Sequence, residues 1–145
     1  MSIQMVIFKL NNEEFAVEVA SVEAIIKLQA ITKVPHAPDF VMGVTNLRGN
    51  IVPVVDLKKR LNLPESKTGE ETRIVVALLQ ESKVGMIVDA VSQVTEIDDA
   101  QIEAAPQYST SIDTSFIRGI VKVEQELVIM LDLERVFENE KQKVL

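Results

Sequence analysis

Phe40-Val41-Met42-Gly43-Val44 and Phe116-Ile117-Arg118-Gly119-Ile120 are one motif written twice in the same chain. The same shift of 76, from 40 to 116, lays Ile51-Val52-Pro53-Val54-Val55-Asp56-Leu57 on Leu127-Val128-Ile129-Met130-Leu131-Asp132-Leu133, with no gap from 40 to 61. Toward the amino end the shift becomes 69, from 5 to 74. It sets Met5-Val6-Ile7 on Ile74-Val75-Val76, and Val19-Ala20-Ser21-Val22 on Val88-Asp89-Ala90-Val91. The difference, 76 minus 69, is seven extra residues in the second half. They fall between Val94 and Phe116, in the stretch holding Ala104-Ala105-Pro106-Gln107-Tyr108-Ser109-Thr110. Self-similarity at a fixed offset marks a duplicated structural unit. A unit of roughly 65 residues is marginal alone, whereas two that share an apolar seam are stable. The polar stretch 61–72 reads as the connector between them.

The unit itself reads as strands. Met5–Leu10, Glu14–Val19, Val41–Leu47, Ile51–Leu57, Ile74–Leu79, Val84–Val88, Ile117–Val123 and Leu127–Leu133 are short runs rich in Val, Ile, Leu and Phe. Their length suits strands better than helices. Asn11-Asn12, Arg48-Gly49-Asn50, Glu81-Ser82-Lys83 and Glu124-Gln125-Glu126 separate them with turn chemistry. Many short strands at close spacing predict an all-β chain of small barrels or a sandwich, about five strands per copy. Helical signals are brief. Asp56 and Asp132 each stand where an N-cap would start a turn after a strand, and Asp98-Asp99 precedes another short helical stretch.

Bulk properties exclude several functions. The 145 residues carry a net charge of −7, which opposes a nucleic-acid partner. Six aromatics and no Trp leave little for base stacking. The absence of cysteine removes disulfides, thiolate metal sites and cysteine nucleophiles. The N-terminus has no signal-peptide pattern, and no run is long and apolar enough to span a bilayer, so a cytoplasmic location without membrane insertion is the default expectation.

The residues for catalysis are sparse. His36, in Val34-Pro35-His36-Ala37-Pro38, is the only histidine; the flanking prolines predict an extended surface segment, and a lone His builds no His-based metal cluster. Asp56 and Asp132 resemble a carboxylate pair, but their equivalence under the repeat fits two caps better. No glycine-rich phosphate loop is present, and Ser109–Ser115 reads as a loop. No cofactor and no metal are expected. Arg48, whose counterpart is Glu124, has two readings: a solvated turn charge, or a planar donor fork pinning a loop. Val22, Ile25 and Ile26 are spaced too densely for a single face, so both core packing and an outward binding surface stay open for them.

The stretch Asn46-Leu47-Arg48-Gly49-Asn50-Ile51-Val52-Pro53-Val54-Val55-Asp56-Leu57 resembles the CheW family. Pro35-His36-Ala37-Pro38, Phe40–Val44, Val84–Val91 and Ala105-Pro106 extend the resemblance over about residues 3–138. It implies one CheW-like domain, 1–145, of two intertwined five-stranded Src-homology-3-like barrels with a short C-terminal helix. One barrel is expected at about 14–65, and the other at about 1–13 plus 66–138. The function implied is a non-enzymatic chemotaxis adaptor joining chemoreceptors to the histidine kinase CheA. An alternative is a scaffold for a CheA-like kinase in another pathway such as surface motility. The family's kinase-binding positions match Val84, Gly85, Met86 and Tyr108, facing the CheA regulatory domain. A bulky charge at Gly85, as in Gly85→Arg, is expected to block that docking. Its receptor-binding positions match Val22, Ala24, Ile25, Arg48 and Ile51, with the receptor's cytoplasmic tip lying in a groove between barrels.

Overall fold

The computed structural model describes residues 1–80, 82–104 and 112–137. Ten strands run through the described residues: β1 (Ser2–Leu10), β2 (Glu13–Glu18), β3 (Val22–Lys27), β4 (Val41–Leu47), β5 (Asn50–Asp56), β6 (Arg73–Leu79), β7 (Ser82–Val88), β8 (Ala90–Asp98), β9 (Ile117–Val123) and β10 (Glu126–Leu131). Single helical turns α1 (Leu57–Arg60) and α2 (Leu133–Val136) follow β5 and β10. Asp56 caps the first by accepting from the Lys58 amide at 3.0 Å, and Asp132 caps the second by accepting from the Arg135 amide at 3.2 Å.

The strands form two five-stranded sheets, ordered β8-β1-β2-β10-β9 (sheet A) and β3-β6-β7-β5-β4 (sheet B). Applying the repeat shifts to sheet B reproduces the order of sheet A strand for strand. Each sheet draws on both copies. The first copy gives β1 and β2 to sheet A and β3, β4 and β5 to sheet B; the second gives β6 and β7 to sheet B and the rest to sheet A. The copies are stitched by two parallel pairings, β2 with β10 and β5 with β7. This exchange differs from a boundary at 13/14. Asn11-Asn12 forms a tight turn, with Asn11 at φ 58°, so β1 and β2 pair along their length and stay in one sheet. β6 and β7 pair antiparallel in the same way and stay together in sheet B.

Strand alternation builds three cores. Val6, Phe8 and Leu10 of β1 meet Val75, Ala77 and Leu79 of β6 and Val84, Met86 and Val88 of β7 in a seam between the sheets. The opposite faces fill each sheet's own interior: Met5, Ile7, Val121, Val128 and Met130 in sheet A, and Leu47, Val52, Val54, Ile74 and Val76 in sheet B. A strand buried on both faces must read as a continuous apolar run, as β1, β6 and β7 do.

The repeated glycines have a repeated cause. Thr32 bridges to Val44 beside β4, and Glu103 bridges to Ile120 beside β9. A Cβ on Gly43 would run into the Thr32 carbonyl, and one on Gly119 into the Glu103 carbonyl. Each glycine thus lets a crossing segment cover the outer edge of its sheet.

Candidate interaction faces

All the described candidate positions lie on sheet B. Val22, Ala24 and Ile25 sit on β3, an edge strand; Arg48 is in the β4–β5 turn, Ile51 is on β5, and Val84, Gly85 and Met86 are on β7. Tyr108 and Ala105-Pro106 lie outside the described residues. Sheet B therefore carries every described position matched to either partner, and β7 pairs directly with β5.

The two readings of β3 divide residue by residue. A register shift between Val22 and Ala24 turns the strand, so Val22 packs on the seam while Ala24 and Ile26 pack on the sheet B interior. Ile25 points outward and is 39% exposed. Its neighbour Glu23 pairs with Lys83 of β7 at 2.9 Å. On β5, Ile51 is 67% exposed.

Arg48 is exposed with φ 51°, followed by Gly49 at φ 85°. Two consecutive positive φ values are what a two-residue hairpin turn needs. The turn is fastened by Asn46, whose Oδ1 accepts from the Gly49 amide at 2.9 Å. The Arg48 guanidinium makes no hydrogen bond or ion pair among the described residues, which leaves its fork of donors facing solvent.

β7 lies inside. Val84 and Met86 are buried in the seam. Gly85 faces the sheet B interior, where a Cβ would come within 2.9 Å of Ile74 Cγ2 and 3.6 Å of the Pro53 carbonyl. Gly85→Arg would push a guanidinium against Ile74 in that interior and destabilise sheet B, so a docking defect at this position has to be read beside the melting temperature.

A groove of about 250 Å³ does run between the sheets. Val17, Leu78, Leu79 and Leu131 line it, and a Glu18–Arg118 ion pair stands beside it. None of the five positions matched to receptor binding lines this groove. His36 is exposed as expected, but it occupies a turn with φ 62° instead of an extended segment, since Pro35 fixes only its own φ. Among the described residues no group of three or more metal-ligating side chains converges, and no helix is long and apolar enough to cross a membrane.

Two features escaped the sequence reading. Lys58, 4% exposed, pairs with Asp89 at 2.6 Å and donates to Ser66 Oγ. The second Asp89 oxygen accepts from the Asn11 amide at 2.6 Å. Arg60 lies between the repeat-related rings of Phe40 and Phe116, at 5.2 and 4.8 Å from their centroids. Its Nε donates to the carbonyl of Val136, its own repeat counterpart, at 2.8 Å. Lys58 and Arg60 stand in the charged run Lys58-Lys59-Arg60 between Leu57 and Leu61, and only the fold shows what they reach.

The model of the CheW-like domain matches residues 4–141. The chain belongs to the CheW-like domain family. It is similar to "Chemotaxis protein CheW" of Bacillus subtilis, 39% identical over 137 residues, which covers 94% of this chain and 88% of that protein. The protein of the same name from Rhizobium meliloti is 32% identical over 140 residues, covering 97% and 90%. Among solved structures, the scaffolding protein TtCheW of Thermoanaerobacter tengcongensis superposes with a TM-score of 0.87 at 38% identity, covering 94% of this chain and 88% of that one. The two intertwined five-stranded units thus match the family fold along almost the whole chain.

Proposed function

We propose that this chain is a non-enzymatic cytoplasmic adaptor of chemotaxis, holding a CheA-type histidine kinase and the cytoplasmic tips of chemoreceptors in one assembly. The observation that carries this reading is the match over residues 4–141 to a family whose relatives are chemotaxis and scaffolding proteins.

The receptor tip meets the outer side of sheet B at Ile25, Ile51 and Arg48, with Val22 and Ala24 setting the course of β3 beneath it. Ile51 and Arg48, an exposed aliphatic and an unengaged guanidinium at one hairpin, suit the flank of an amphipathic helix, and Ile25 offers a second exposed aliphatic on the edge strand β3, across β6 and β7 from them. The kinase meets the chain around β7 and Tyr108. Buried Val84, Gly85 and Met86 act there from below, by fixing the surface that Lys83 and its neighbours present.

Titration calorimetry against a CheA regulatory domain, and separately against a receptor tip fragment, tests the reading. Both should bind. Ile51→Asp should weaken receptor binding about tenfold or more, equivalent to ~1.4 kcal/mol, without moving the melting temperature. Arg48→Ala should reduce receptor-dependent kinase stimulation while leaving the melting temperature in place. A folded chain that binds neither fragment contradicts the proposal.

A further inference from the structure

The hairpin that carries Arg48 and Ile51 is clamped from outside by the segment that follows β3. Gln29 lies two residues beyond β3 and reaches β4, the strand at the opposite edge of sheet B. Its Nε2 donates to the Thr45 hydroxyl at 2.8 Å and to the Asn46 carbonyl at 2.8 Å. The Thr45 hydroxyl gives its own proton to the Ala30 carbonyl at 2.8 Å, so toward Gln29 it acts as acceptor. Asn46 extends the chain: its Oδ1 holds the Gly49 amide, and across the hairpin it pairs with Ile51. Hydrogen bonds thus run unbroken from the segment after β3 to the Arg48-Gly49 turn.

The second copy makes the same turn without such a clamp. Val121, Lys122, Glu124 and Gln125 stand where Thr45, Asn46, Arg48 and Gly49 stand in the first. Val121 has no polar side chain. Lys122 carries donors only, so it cannot hold the Gln125 amide as Asn46 holds that of Gly49. Glu124 and Gln125 nevertheless adopt φ values of 50° and 69°, beside 51° and 85° for Arg48 and Gly49. Strand pairing therefore sets the shape of the turn in both copies. What differs is freedom: a glycine backbone suits many conformations, and the clamp narrows them at the turn that contains one.

We infer that Gln29 is a positioning residue of the receptor face: by holding the Asn46 carbonyl it keeps Arg48 and Ile51 in one arrangement and ties their hairpin to the end of β3. This rests on the reading of that hairpin as a receptor contact. Gln29 and Asn46 are exposed, so their bond adds little to the stability of the fold. Its value is local, because a turn already ordered loses less freedom when a partner docks.

The test uses the full ¹⁵N-labelled chain and its Gln29→Met variant, which keeps the length of the side chain and loses the donor. The ¹H–¹⁵N NOE values of Arg48, Gly49 and Asn50 should fall in the variant while those of Glu124, Gln125 and Glu126 stay, and the Gly49 amide should exchange faster. Gln29→Lys should keep most of the order, because both bonds use residue 29 as donor. Titration calorimetry against the receptor tip fragment reads the consequence. Gln29→Met should weaken binding about threefold, the scale of one hydrogen bond, and most of that loss should vanish in an Arg48→Ala background. Unchanged amides at 48–50, equal loosening of the 124–126 turn, or the same loss of affinity with and without Arg48 would overturn the inference. A wild-type chain that fails to bind the receptor fragment would overturn the reading of the face instead, and the amides would still decide whether Gln29 orders the turn.

Discussion

Arg60 joins the two copies at a single side chain. Its guanidinium lies between two phenylalanines related by the repeat and donates to a backbone carbonyl at its own repeat position. Stacking on aromatic faces and a charge-assisted hydrogen bond each contribute about 1 kcal/mol or more at a partly buried site. Arg60→Ala should therefore cost roughly 2 kcal/mol, read as a lower denaturant midpoint at unchanged slope. Arg60→Lys should recover less than half of that, because an ammonium lacks the planar face. Lys58 and Asp89 obey a different rule. Their pairing is close, but Lys58 is almost wholly buried, so the penalty for losing one partner exceeds the net worth of the pair. Asp89→Asn should cost on the order of 3 kcal/mol by stranding the ammonium, and Lys58→Met added to it should restore much of the loss. Thermal melts of the two single variants and the double variant measure the difference.

At the scale of elements, the paired hairpins show where local strain remains. Arg48-Gly49 and Glu124-Gln125 make equivalent turns, and both residues of each have positive φ. Gly49 adopts this freely, but Glu124 and Gln125 do not. Replacing Glu124-Gln125 with Asn-Gly should stabilise the chain by about 1 kcal/mol, seen as a higher melting temperature with an unchanged circular-dichroism spectrum. Legibility also divides at this scale. The eight strands read from sequence are all present, because each carries a run of apolar residues facing the seam, an interior, or both. β3 and β8 were missed, and they are repeat counterparts at the sheet edges. In β8 the usual pattern is disturbed: Gln93 and Thr95 turn inward while Val94 faces solvent. An edge strand needs fewer buried side chains, so its alternation is weak. The candidate site was legible to the same extent. Ile25, Ile51 and Arg48 are outward-facing residues in the sequence matches, whereas the burial of Val84, Gly85 and Met86 depends on the partner sheet, which no local pattern reveals.

For the whole molecule, the exchange of strands between copies matters most. Neither copy owns a complete sheet, so the positions matched to receptor and kinase are held by one body built from both halves of the chain. An adaptor of this design transmits geometry: it fixes two macromolecules at set positions, and any coupling must arise from contacts that differ between their states. The most direct test is simultaneous binding. The chain is mixed with a CheA regulatory domain and a receptor tip fragment, and the complexes are sized by analytical ultracentrifugation. The account predicts one species containing all three components, lost on removal of the chain. Two separate binary complexes that exclude each other, or kinase and receptor fragments that associate equally well without this chain, would contradict it.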